Sequence, residues 1–241
     1  MSFAGISAQH GLVCFLIVVA PLWDRYEIPR LKASTDPRKK IRFYAKIVAA
    51  SWACALVAGL TVGFATVMRI HKTPGEMAWL DPGTRRGIFL QGLTAGILIA
   101  LIVPAVFALW SEKIRSKAGK AARKLAFLLP STPVERRWWW LVCITAGIAE
   151  EIVYRGFLLH YFHGSPFHLS LTWALVGSSV IFGIGHLYQG LAGAVQTFVI
   201  GFLFGAIFLA TGNLLLPVLL HALMDLRVLA LLPVGFETAE I

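Results

Sequence analysis

Glu150, Glu151, Arg155, His186, His221 and Asp225 are the residues whose types and spacing could do chemistry, because they stand in strongly apolar sequence. After Arg155 the next Asp, Glu, Lys or Arg is Asp225. A charge inside a membrane costs ~2.5–3.5 kcal/mol on insertion scales, so such groups turn toward a bundle interior or a wet cavity and are functional candidates by default. Three helical pairs emerge. Glu151 and Arg155 are four apart with the acid first, the better order for a helical ion pair. Glu150, its neighbour, points about 100° away around a helix and is left free. Phe182 and His186 are also four apart, as are His221 and Asp225. If the three faces converge, one cavity holds an unpaired carboxylate, two imidazoles and a second carboxylate. A carboxylate with an imidazole can deprotonate water, and a second imidazole can donate to an oxyanion. That equipment suits peptide hydrolysis by water. Taken singly, each group has a plainer role: a structural clamp for Glu151–Arg155, an interfacial side chain for His186, a donor to a backbone carbonyl for His221. Tyr154 is a further potential donor. His10, His71, His160, His163 and His168 fall near predicted helix ends or loops and receive no chemical role.

The elements that must position these groups are membrane helices. The chain has 241 residues, 58% hydrophobic and 14% charged, with a mean hydropathy of +0.74. Soluble domains sit near 45–50% apolar and ~25% charged. The composition predicts one all-α, polytopic membrane bundle. Runs at 4–23, 44–68, 87–110, 138–162, 168–187, 190–211 and 214–232 approach the ~20 residues a span needs, giving about seven transmembrane helices. They are continuous rather than alternating, which excludes a barrel. The net charge of +10 is no nucleic-acid signal, because the basic residues lie in loops, where topology and anionic lipid explain them. Cys14, Cys54 and Cys143 sit in apolar segments without CxxC spacing, so neither disulfide nor thiolate metal site is expected. The first run lacks a basic flank and a cleavage site and reads as a retained helix.

Residues 1–23 carry no Lys or Arg, whereas 24–43 carry Arg25, Arg30, Lys32, Arg38, Lys39, Lys40 and Arg42. The 69–86 loop is mixed, with Glu76 and Asp81 offsetting its bases, and 111–137 is again basic. The positive-inside rule puts 24–43 and 111–137 in the cytoplasm of a plasma (inner) membrane protein, with the N-terminus outside and the C-terminus inside. In 111–130, Ile114, Ala118, Ala121, Leu125 and Leu128 recur at helical spacing opposite Lys and Arg. This predicts a basic amphipathic helix lying in the interface of an anionic bilayer. Pro130 and Pro133 end it, and Trp138, Trp139 and Trp140 then read as an interfacial anchor. Gly59/Gly63, Gly92/Gly96 and Gly201/Gly205 are GxxxG pairs, taken as packing contacts.

Three motifs resemble a known family. "EEIVYR" is E-E-x-x-x-R, "FGIGH" is F-x-x-x-H and "HALMD" is H-x-x-x-[N/D], in this order on successive membrane helices. With the flanking "RGFLL" and "GNLLLPVLL", they look like the CAAX protease and bacteriocin-processing (CPBP, or Abi) family, which includes the endopeptidase that trims prenylated CAAX proteins. The resemblance covers roughly residues 138–230 and implies a catalytic helical core at 138–232, preceded by membrane helices and basic loops (1–137) and followed by a short tail (233–241). It implies a glutamic-type intramembrane endopeptidase that needs no metal or other cofactor. Glu150 and His186 would activate the water. Glu151 and Arg155 would support the site and position Glu150. His221 and Asp225 would match the oxyanion-stabilising pair. An ionised Asp accepts hydrogen bonds, whereas Asn can donate, so Asp225 would instead orient His221 and leave that imidazole as the donor.

Two alternatives stay open on the residues alone. One is a zinc protease using Glu150, His186 and His221, since two His and a carboxylate suit catalytic zinc, although HExxH is absent. The other is a non-enzymatic membrane protein such as an immunity factor or scaffold. The expected partners are the lipid bilayer and a membrane-associated protein or peptide substrate, with no nucleic acid; no feature of the sequence names that substrate or an oligomeric state.

Overall fold

A computed structural model describes residues 3–34, 36–70, 83–164, 166–232 and 234–235. Most of the mixed 69–86 loop and nearly all of the predicted 233–241 tail lie outside the described residues. Among the described residues the regular secondary structure is helical apart from one isolated bridge, Arg69 to Asn213.

Among the described residues, eight helical rods of more than ten residues follow one another. Rod α1 runs through Phe3–Cys14, a π-helical turn Phe15–Val19 and Ala20–Lys32. Then come α2 (Pro37–Val62), α3 (Arg85–Ala108) and α4 (Glu112–Ala122). Rod α5 is composite: Pro133–Thr145, two π-helical stretches Ala146–Glu150 and Ile152–Phe157, and Leu158–His163. The chain ends in α6 (Leu171–Ile184), α7 (Leu191–Thr211) and α8 (Leu215–Leu231). The starts are capped as the sequence dictates. Asp36 accepts from the Arg38 amide, and Thr84, Ser111, Thr132 and Ser170 do the same for α3, α4, α5 and α6. Each satisfies an amide that has no partner within its helix. Gly212, at φ 74°, closes α7 in the left-handed conformation that glycine adopts without a Cβ penalty.

All seven apolar runs form helix, joined by the basic helix α4. The segments 5–32, 38–62, 87–108 and 191–211 are helices long and apolar enough to cross a membrane. Side chains such as Leu60, Phe89 and Leu191, each about 70% exposed, face outward where lipid replaces water as solvent. The other three runs fall short of that criterion for physical reasons. Rod α5 carries six charged side chains, α6 has 14 residues and α8 has 17. At 1.5 Å per residue, the last two measure about 21 and 25 Å, less than a ~30 Å hydrocarbon core.

Three expectations need correction. Rod α6 stops at Ile184, so His186 lies past the helix end rather than inside a span to 187. Gly183 and Gly185 weaken the helix there, and the His186 ring then caps the freed carbonyl of Phe182. The amphipathic helix ends at Ala122 rather than near 129. Leu128 and Leu129 turn inward and are buried, and their carbonyls accept from the Tyr44 hydroxyl and the Lys40 ammonium. Trp139 is buried and donates Nε1–H to the Asp225 carbonyl at 3.3 Å, so of the three tryptophans Trp140 is the one that faces out. The glycine pairs divide as well. Gly201 and Gly205 pack against neighbouring rods, whereas Gly92 and Gly96 face open space.

Two apolar clusters hold the bundle. The larger joins Leu12, Ala58, Phe157, Leu175, Phe182 and Phe208 around α5. The smaller joins Ile28, Tyr44, Leu128, Trp139, Cys143 and Leu232 at the end where α5 begins. Rod α5 touches α2, α6, α7 and α8, so its side chains are the ones the bundle encloses.

Candidate active site

The site is built on the π-helical middle of α5. Such stretches add a residue to the turn and recur at functional sites. Two glycines let neighbouring rods approach it. A Cβ on Gly147 would sit 2.8 Å from Ala222 Cβ, so α8 lies close enough to bring His221 against α5. A Cβ on Gly201 would sit 3.2 Å from Arg155 Nη2 and 2.8 Å from the Phe182 ring, so α7 is pressed onto the arginine.

Glu151, Arg155 and His221 form a buried clamp, exposed by 0%, 1% and 3%. Arg155 Nη1 donates to Glu151 Oε1 at 2.8 Å, and His221 Nδ1 lies 2.7 Å from the same oxygen. An ionised carboxylate only accepts, so His221 Nδ1 carries a proton and donates. The Arg155 guanidinium also stacks over Phe182, 4.2 Å from the ring centroid. The other nitrogen of His221 faces two more carboxylates: Nε2 is 3.7 Å from Asp225 Oδ2 and 4.0 Å from Glu150 Oε2. Glu151 thus orients His221 through a short hydrogen bond, and Asp225, expected to do so, stands at a longer distance. The reason is register: the π turns bring Glu151 beneath the imidazole, while Asp225 lies one turn further along α8.

Glu150 and His186 are placed differently. Both line a chamber of about 140 Å³ together with Tyr154, Gly185, Tyr188 and Asp24. Glu150 accepts no hydrogen bond among the described residues, and its side chain keeps 21% exposure. His186 Nδ1 lies 2.8 Å from the Phe182 carbonyl oxygen. A carbonyl only accepts, so Nδ1 bears the proton, and in the neutral ring Nε2 is left with its lone pair. The clamp and the chamber meet at Phe182. Its ring lies 4.7 Å from His186, 4.8 Å from Tyr154 and 6.0 Å from His221, centroid to centroid.

All six predicted residues therefore fall in one connected region: five in the cluster around His221, with Glu150 shared between that cluster and the chamber that holds His186. Sequence spacing pairs Phe182 with His186 and gives it no role of its own, although its ring lies against four members of the site. Asp24 and Tyr188 were missed altogether. Asp24 reads as the first polar residue after an apolar run, and Tyr188 as an ordinary aromatic. Among the described residues, no three His, Cys, Asp or Glu side chains form a group that could hold a metal ion. His160 and His163 hydrogen-bond to backbone carbonyls of Gly156 and Leu169, the structural role expected of them.

Comparison with known families matches residues 133–227 to the type II CAAX prenyl endopeptidase Rce1-like model. Comparisons with curated proteins and with solved structures give no match. The matched segment begins at the N-terminus of α5 and ends within α8, so it contains every residue of the clamp, along with Glu150 and His186. Residues 133–227 thus resemble the CAAX protease and bacteriocin-processing family, and this likeness supports a CAAX-protease-like membrane endopeptidase in general.

Proposed function

We propose that this chain is a glutamic-type intramembrane endopeptidase that cleaves a membrane-associated protein or peptide with water activated by Glu150 and His186. The observation that carries this reading is their shared chamber: a carboxylate with no donor of its own and an imidazole whose Nε2 lone pair is free. A water there would give one proton to Glu150 while its other hydrogen bonds His186 Nε2. The hydroxide oxygen adds to the scissile carbonyl carbon, and the carbonyl oxygen becomes an oxyanion. His221, protonated on both nitrogens, donates Nδ1–H to Glu151 and turns Nε2–H toward that oxyanion. Protonated Glu150 then gives its proton to the departing amine as the C–N bond breaks, which returns the carboxylate. Glu151 and Arg155 act through His221 by fixing its ring. Asp225 helps hold the Nε2 proton and cannot itself donate while ionised.

The family match supports a substrate of the CAAX type, a protein tail held at the membrane. The density of Lys and Arg in 24–43 and 111–137 supports placing these segments, which include the end of α1 and the start of α2, on the cytoplasmic side of the plasma membrane, with the N-terminus outside. Single cysteines at positions 38 and 120, in a background free of other cysteines, should be shielded from impermeant reagents in whole cells. Labelling of both from outside would reverse the orientation.

The test of the chemistry is cleavage by purified Glu150→Gln, His186→Ala and the double variant. Each single change should lower kcat/KM by ~10²-fold or more, the usual weight of general-base catalysis. The double should be little worse than either, because groups acting as a unit are non-additive. Independent, multiplying losses would contradict a shared water. Activity should also survive exhaustive chelation; loss to a chelator and recovery with zinc would overturn the mechanism.

A further inference from the structure

Asp24 is the acid common to three cavities. It lines the chamber that holds Glu150 and His186, an apolar cavity of about 130 Å³ behind Glu150, and a groove of about 600 Å³ along α1. It sits on α1, well outside the segment that matches the family. No hydrogen bond or ion pair to Asp24 is found among the described residues. Its sequence neighbour Arg25 lines the groove, but adjacent residues on a helix do not face each other. Arg155, a buried cation of the site, is committed to Glu151. The described residues lining the two smaller cavities include two carboxylates, Asp24 and Glu150, and no Lys or Arg. An acid set among apolar side chains needs a partner, and none is found for Asp24 among the described residues.

We infer that Asp24 is a specificity-determining residue: its carboxylate receives a positively charged substrate side chain, lysine or arginine, close to the bond that is cut. The inference rests on the protease reading above and adds what that site selects. The distance from the cut follows from size. A chamber of about 140 Å³ holds only a short piece of chain. An extended chain advances at most ~3.6 Å per residue, so a side chain that reaches Asp24 belongs to a residue within about three positions of the scissile bond. Tyr154 and Tyr188, which line the same chamber, offer aromatic surface for the stem of a long basic side chain. Glu150 is reserved for water, so Asp24 is the carboxylate available for recognition.

The test uses the full chain in detergent and an equimolar library of random-sequence peptides, with products read by mass spectrometry. Wild-type cleavage sites should be enriched in lysine and arginine within three residues of the cut. Asp24→Asn, confirmed monodisperse, should lose that enrichment by tenfold to a hundredfold, the range expected for a hydrogen bond to a charged group, while cleavage of uncharged sequences stays within about twofold. Asp24→Lys should shift the preference toward aspartate and glutamate. The same site profile for wild type and Asp24→Asn would overturn the inference and leave the protease reading intact. If the wild-type protein cleaves nothing, binding decides. Glu150→Gln protein should hold a lysine-containing library peptide more tightly than its norleucine counterpart, and Asp24→Asn added to it should erase the difference. Equal binding of the two peptides by Glu150→Gln would overturn the inference.

Discussion

Glu135 and Glu150 lie on the same rod, and what surrounds them divides structure from chemistry. Glu135 Oε2 accepts from the Ser131 amide at 2.8 Å, the Ser131 hydroxyl at 3.0 Å and the Thr132 amide at 3.2 Å, with the Lys40 ammonium 3.6 Å away. The protein has filled that carboxylate with donors, closing the N-terminal box of α5 and tying α2 to it. Glu150 is given none; its nearest basic nitrogen is His221 Nε2 at 4.0 Å, and it faces a chamber. A carboxylate whose lone pairs are taken holds a fold together. One whose lone pairs are kept free, at the cost of burial, is available to a proton. Glu151 stands between the two cases: it is fully buried and bonded like Glu135, yet its partner His221 points on into the site.

That contrast can be broken most severely at the clamp. Removing one partner of a buried pair leaves the other charge without compensation, which costs ~3–5 kcal/mol. Arg155→Ala should therefore lower the unfolding midpoint in detergent sharply and abolish cleavage. An Arg155→Ala protein with wild-type stability would mean that the clamp is dispensable. His221→Ala acts on the bond-breaking side. It should lose ~3–4 kcal/mol of transition-state stabilisation if Nε2–H serves the oxyanion, seen in kcat with KM little changed. A change in KM alone would assign His221 to substrate binding.

Glu135→Gln sharpens the structural pole. It should destabilise by ~1–3 kcal/mol while folded protein keeps its kcat/KM, read by comparing cleavage with the folded fraction. The pH dependence follows from its surroundings. Burial alone would raise the Glu135 carboxyl, but the Ser131 and Thr132 donors and the Lys40 ammonium outweigh it and hold it below the usual range. A carboxyl depressed on folding adds stability that is fully present above the unfolded value and lost as pH falls through the folded one. Wild-type stability should fall through that acid window, and Glu135→Gln should show a flatter acid limb. Parallel limbs would remove Glu135 as the titrating group.

The helical architecture was legible in the sequence because continuous apolar runs admit few alternatives in lipid. The six polar residues were legible for the same reason, since charge in such runs needs a purpose. What spacing could not give is which oxygen faces which nitrogen. Regular helical geometry pairs His221 with Asp225, and the π turns of α5 instead deliver Glu151 to it. Nor could hydropathy find the end of α6, because the run stays apolar through Gly183, Ile184 and Gly185 although the helix ends at Ile184. Asp24 was invisible for a third reason: its meaning comes from a cavity assembled by α1, α2, α5 and the turn after α6, and no local pattern records that.

The most direct measurement is cleavage of one membrane-anchored peptide substrate by Glu150→Gln and Glu135→Gln side by side, with rates normalised to folded protein. Glutamine keeps the shape of each side chain and removes its basicity. Glu135→Gln should cleave at close to the wild-type rate, and Glu150→Gln should be slower by ~10²-fold or more while still binding the substrate. Equal rates for the two variants would contradict the assignment of Glu150 as the base.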